Sequence, residues 1–151
     1  MKTNDLFDKI FGNLNELDEI FKNTDILISE IEQEDSVPQV IYISHPYTAD
    51  NKYRILNNVQ SAMELAAEVI KLGCTPVVPH TFHYVDEILC EQAIIPMSHE
   101  GWMEHCITLL DRCDAILYTG YSNGCNQELA YAIANNIPVY FSIDELAEDV
   151  K

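Results

Sequence analysis

From residue 40 onward, short runs of apolar, β-branched residues alternate with longer stretches whose apolar residues recur every three or four positions. The first run, VIYIS at Val40–Ser44, is continuous rather than alternating, which predicts a strand buried on both faces. NKYRILNNVQSAMELAAEVIKLG then predicts a long helix. Its inward positions are Ile55, Val59, Ala62, Met63, Leu65, Ala66, Val69 and Ile70, and Gly73 is its stop. TPVVP, residues 75–79, reads as a second short strand. Residues 80–96 are ambiguous, a loop with a short helix around residues 84–93. GWMEHCITLLDRC predicts a helix, AILYT a third strand, residues 126–134 a helix and PVYF a fourth strand. SIDELAEDV closes as a short helix capped by Ser142, with Glu145 three residues on.

The segment before residue 40 follows another pattern. Leu6, Phe7, Ile10, Phe11, Leu14, Leu17, Ile20 and Phe21 form one helical stripe, and QEDSVPQ reads as a linker. Ten acids stand there against three lysines. The chain therefore divides into an acidic amphipathic helical extension with linker, residues 1–39, and an α/β domain, residues 40–151. Strand–helix alternation with crossovers of this length implies a parallel sheet. The expected fold is a flavodoxin/Rossmann-like open sheet of four to five strands with helices on both faces. In such sheets ligands bind beyond the carboxyl ends of the strands. That rule selects the loops after Ser44 (HPYTADNKYR), Val78 (PHTFHY) and Thr119 (GYSNG).

Charge and cysteine content narrow the function. A formal net charge of −17 disfavours a nucleic-acid polymer or an anionic membrane as partner. It leaves room for a small anionic ligand held by local donors. No apolar run reaches the ~20 residues of a membrane-spanning helix. Five cysteines without a CxxC pair, and no secretory pattern at the start, lead to the expectation of a reduced, cytoplasmic setting. His80 and His83 form an HxxH, with His99 and His105 further on, but outside a clear helix this is a loose metal signal. No metal and no cofactor is expected.

The GYSNG turn leads into a helix, so its backbone N–H groups with Ser122 suit an anion, or serve only as a helix entry. Glu128 follows, at the start of an apolar run. A carboxylate there faces solvent, offsets the helix dipole, or stands in the cleft as a nucleophile toward an electrophilic sugar carbon.

Three stretches taken in order, YISHPYTADNKYR, AAEVIKLGCTPVVPH and CITLLDRCDAILYTGYSNGCNQELAYAIANNIPV, resemble the nucleoside 2-deoxyribosyltransferase superfamily over about residues 40–142. The likeness is to its small phage and bacterial members, related to N-glycosidases of deoxynucleoside 5′-monophosphates. The resemblance implies that Glu128 is the nucleophile, that Tyr42 helps to place it and that Asp114 lies near the sugar or base. Ser122 and Gly124 fall on the turn that holds a 5′-phosphate. His45, Tyr47 and Thr48 would wall the sugar pocket, and Lys52 and Arg54 would meet a phosphate. His80 would join the cleft. The sequence departs from the pattern in having His45 where many members have glycine. It also has His105-Cys106 where many have a further aspartate, so that His105 or the adjacent Glu104 is the candidate replacement. Related enzymes are dimers or larger, and a homo-oligomer is expected. The sequence supports two classes: an N-glycosidase or deoxyribosyltransferase acting on a nucleoside or nucleotide, and a non-catalytic nucleotide-binding or sensing module.

Overall fold

The structure is a computed structural model that describes Glu19, Lys22, Asn23, residues 39–92 and residues 97–150. The chain divides into two units, Met1–Val37 and Pro38–Lys151. Glu19, Lys22 and Asn23 are helical. The apolar stripe and linker expected before residue 39 lie outside the described residues.

The second unit carries strands β1 (Val40–Ser44), β2 (Thr75–Val77), β3 (Ala115–Tyr118) and β4 (Val139–Tyr140). They form one parallel sheet in the order β2-β1-β3-β4. Helix α1 (Lys52–Lys71) joins β1 to β2. A 3-10 turn (Pro79–Thr81), α2 (Phe82–Glu91) and α3 (His99–Leu110) join β2 to β3. Helix α4 (Asn123–Ala134) joins β3 to β4, and α5 (Ile143–Asp149) follows. This is the expected α/β architecture with four strands.

The Gly73 stop and Ser142 cap expected from sequence are formed, and Asn51 adds a cap that the pattern did not single out. Asn51 accepts from Arg54 N at 2.9 Å to open α1, and Gly73 ends it with φ +81, a conformation glycine adopts without steric cost. Ser142 accepts from Glu145 N at 3.1 Å to open α5. Helix α4 starts three residues before the expected position, because Ser122 caps it by accepting from Cys125 N at 3.1 Å. Glu128 consequently sits in the second turn and not at the helix start. The ambiguous stretch after β2 is largely helical.

Strand pleating sorts the core. Ile41, Ile43, Ala115 and Leu117 face one side and pack with Ala62 and Val69 of α1 and Leu146 of α5. Tyr42 and Ile116 face the other side and pack with Leu110 of α3 and Ala132 of α4. Helices thus cover both faces. Of the positions expected to point inward on α1, Val59, Ala62, Ala66 and Val69 are buried. Ile70 is 61% exposed: the helix rotates it past the edge of the covered stripe.

Leu117, fully buried in the centre of the sheet, is expected to cost about 2–5 kcal/mol when cut to alanine. Ile70→Ser is expected to change stability by no more than roughly 0.5 kcal/mol, as surface substitutions do. Urea denaturation of the two variants checks both.

Candidate active site

The chain reverses its direction of travel across the sheet between β1 and β3, since β2 lies on one side of β1 and β3 on the other. Neighbouring connections diverge there and leave a crevice at the carboxyl ends of those two strands. Side chains two apart on a strand share a face. Tyr42 and Ser44 therefore both point toward the α3–α4 side, and both reach Glu128. The Tyr42 hydroxyl donates to Glu128 Oε1 at 2.7 Å and the Ser44 hydroxyl to Oε2 at 2.5 Å. All three residues are buried, and Glu128 is only 6% exposed.

Burial raises the Glu128 carboxyl above the ordinary glutamate value, and the hydrogen bonds from Ser44 and Tyr42 pull it partly back. Burial and the neighbouring carboxylate drive the Tyr42 phenol far up, so it remains a donor. Cys106 lies beside Tyr42, and burial pushes its thiol up to about 11, which marks it as a packing residue rather than a thiolate.

Glu128 lines a cavity of about 440 Å³. His45, Tyr47 and Thr48 come to it from the loop after β1, and His80, His83 and Asp86 from the turn and helix after β2. Trp102, Met103 and Cys106 of α3 and the start of α4 complete it. The loops are tied together. His80 Nε2 lies 2.8 Å from the His45 carbonyl oxygen, which only accepts, so Nε2 carries the proton and Nδ1 is left as an acceptor. His45 Nδ1 meets Thr119 Oγ1 at 3.0 Å, and Asn58 Nδ2 donates to the Tyr47 carbonyl at 3.0 Å. Gly120 packs on Pro46 so tightly that a Cβ would fall 2.5 Å from Pro46 Cδ. Burial lowers His45 and His80 from the ordinary histidine value, so both are neutral at pH 7.

Eight of the residues expected in the site share this cavity or its wall: Glu128, Tyr42, His45, Tyr47, Thr48, His80, Ser122 and Gly124. Three do not. Asp114 precedes β3 at the amino end of the sheet, away from the crevice. Its carboxylate accepts from Val40 N at 2.8 Å and its own N–H donates to the Val40 carbonyl, also at 2.8 Å. It therefore ties down the start of β1. Arg54 is exposed on α1 and pairs with Asp50 at 3.1 Å. His105 is exposed, its ring 6.0 Å from Phe82 and 5.9 Å from Trp102, behind the wall and not on it. Sequence reading missed the role of Ser44, for which the signal was its two-residue spacing from Tyr42. It also passed over Asp86, and it gave His83 no catalytic role. Among the described residues no group of three His, Cys, Asp or Glu side chains is arranged to hold a metal ion.

A family described as a domain of unknown function (DUF7768) matches residues 39–142, a span that contains every site residue named above. No curated protein matches the chain.

Tyr42→Phe and Ser44→Ala are each expected to raise the Glu128 carboxyl further, because burial is then less opposed. Asp114→Ala is expected to leave that titration in place and to cost about 0.5–1.5 kcal/mol of stability, the value of one hydrogen bond. Carbon-13 NMR titration of labelled glutamate, with thermal denaturation, distinguishes the two behaviours.

Proposed function

This chain belongs to the DUF7768 family, and from its cleft we propose that it is an enzyme cleaving the N-glycosidic bond of a nucleoside, with Glu128 as nucleophile. The observation that carries the reading is the buried Glu128 carboxylate, fixed by two hydroxyl donors on the wall of a cavity at the sheet's switch point. A purely structural carboxylate gains nothing from that position, while a nucleophile needs to be held rigid and poorly solvated. Each carboxylate oxygen keeps a lone pair for attack. The cavity volume lies within the range of small-molecule sites, roughly 300–1,000 Å³.

In this reading Glu128 attacks the anomeric carbon through an oxocarbenium-like transition state, and the C1′–N bond breaks as the base takes up a proton. Water then releases the sugar, or a second base takes it in exchange. The Ser44 and Tyr42 hydroxyls hold the carboxylate during attack and stabilise it again as the ester opens. Trp102 and Phe82, stacked with ring centres 5.3 Å apart, offer an apolar wall to the base. The reading places the chain with the nucleoside 2-deoxyribosyltransferase superfamily that its sequence resembles, and a homo-oligomer accords with it.

The charge of the lining favours a neutral nucleoside over its 5′-monophosphate. Asp86 and Glu128 line the cavity and, among the described residues, no lysine or arginine does. Lys52 is engaged with Glu87 at 2.9 Å and Arg54 with Asp50. The Ser122 hydroxyl already accepts from Cys125 N.

Incubation with a panel of ribo- and deoxyribonucleosides and their 5′-monophosphates, with and without a second free base, is expected to release base, with nucleosides preferred. Glu128→Ala is expected to abolish release. Absence of release from every substrate, with nucleotide binding retained, would instead make the protein a binding module.

The pH profile follows from the direction of the Glu128 shift. Only the carboxylate attacks, and its folded-state value is raised. The acid limb of kcat/KM is therefore expected above the ordinary glutamate range near ~4.3, with activity rising as pH increases through it. Ser44→Ala is expected to move that limb to higher pH.

A further inference from the structure

Among the described residues, the buried side-chain polar atoms without a hydrogen-bond partner are His80 Nδ1, His83 Nε2 and Asp86 Oδ1. All three residues line the cavity and come from the turn after β2 and the first half of α2. Such groups are costly to leave unmet, so their gathering on one wall calls for a reason other than packing. The strand order sets this wall, which follows β2, across the crevice from α4 and Glu128, which follow β3.

His83 stands apart from the other imidazoles there. Its Nδ1 lies 2.9 Å from the Tyr47 hydroxyl oxygen. Its Nε2 lies 3.6 Å from Glu87 Oε1, near but too far for a hydrogen bond. Lys52 Nζ holds the same carboxylate oxygen at 2.9 Å. The carboxylate stands on the Nε2 side of the ring and leaves Nδ1 to Tyr47. His80 is different, because its Nε2–H is committed to a carbonyl. The result is a continuous series, Glu87 to His83 to Tyr47, that ends with a hydroxyl in the cavity.

We infer that Tyr47 is the catalytic acid that protonates the departing base, and that His83, backed by Glu87, is the positioning residue that recharges it. The inference rests on the glycosidase reading. As the C1′–N bond breaks, its electron pair moves onto the base. A base nitrogen takes the Tyr47 hydroxyl proton, and Tyr47 takes the Nδ1 proton of the His83 imidazolium, leaving a neutral ring. In the second half water adds to C1′, and the bond to Glu128 breaks with its electrons returning to the carboxylate. The surplus water proton passes through Tyr47 back to His83 Nδ1. One water is consumed, base and sugar leave, and all three side chains are restored. Burial, with the charges of Asp86 and Glu87, holds the Tyr47 phenol above its ordinary value, so it stays protonated between turnovers. This pair supplies the function of the aspartate that the sequence lacks at His105-Cys106.

The test compares wild type, Tyr47→Phe, His83→Gln, Asp86→Asn and Glu128→Ala on glycosides of one sugar whose leaving groups run from nucleobases to p-nitrophenol. For nucleobases, kcat is expected to fall about 10²–10⁴-fold in Tyr47→Phe and His83→Gln with little change in KM, the range general acids contribute. p-Nitrophenol departs as its anion without a proton, so in the first turnover, before water is needed, it is expected to leave at close to the wild-type rate. Tyr47→Phe keeps the ring and its packing, so it remains informative where His83→Gln folds poorly. Equal losses of first-turnover release across all leaving groups, or no loss on any, overturn the inference. Selective loss in Asp86→Asn with none in Tyr47→Phe gives the role to Asp86 and also overturns it. Glu128→Ala is expected to be inactive throughout the series; full activity there removes the glycosidase reading, and the inference with it.

Discussion

The site depends on a carboxylate that the fold takes out of water and then satisfies with two hydroxyls. Burying Glu128 alone would favour its neutral form, and the Tyr42 and Ser44 donors restore part of the preference for charge. That balance requires two residues of β1 to face α4 together, which the pleat of the strand provides only in one register. A slip of one residue would turn Ile41 and Ile43 toward Glu128 and leave the carboxylate without donors. Core packing and site chemistry therefore select the same register. The apolar residues that fill the opposite face also fix the orientation of the two hydroxyls.

The sequence was most legible where physical periods are strong. The five-residue run of β1, the glycine stop of α1 and the serine cap of α5 are where pattern placed them, whereas Ser122 opens α4 three residues early. Pattern also selected the three loops that meet at the crevice. It was less informative wherever direction, rather than position, decides the outcome. Asp114 is close to β3 in sequence, but it precedes the strand and not the loop after it, so the parallel sheet puts it at the wrong end. Arg54 lies one turn into α1 and finds Asp50 four residues back, a local pair that satisfies it on the surface. Ile70 is apolar and close to the stripe, yet it turns outward where its neighbour Val69 turns into the core. Ser44 was seen as a strand end because nothing in a linear reading says that a second donor is needed beside Tyr42.

The chain's acidity and the character of its cavity are separate matters. A net charge of −17 is carried largely at the surface and in the first segment. The cavity wall is instead mostly imidazole, hydroxyl, thioether and aromatic. Burial keeps His45 and His80 uncharged, and Lys52 and Arg54 are occupied by carboxylates outside the cavity. The result is a polar enclosure with two carboxylates, Asp86 and Glu128, and, among the described residues, no lysine or arginine in its lining. Electrostatic contrast of that kind suits a substrate that becomes positively charged only as it reacts.

The contact between Gly120 and Pro46 sets the spacing of this enclosure. Where the loops after β1 and β3 touch, a proline ring occupies the space that a side chain at position 120 would need. The two positions form a single gauge: a side chain at 120 needs a smaller residue at 46 or a shift of the loop, and such a shift would move the segment that carries His45 and Tyr47 relative to Glu128. Cleft width is thereby controlled by a pair that need touch no ligand. A change of cleft width has a route through joint substitution at 46 and 120 that leaves Glu128 and its two hydroxyl donors intact.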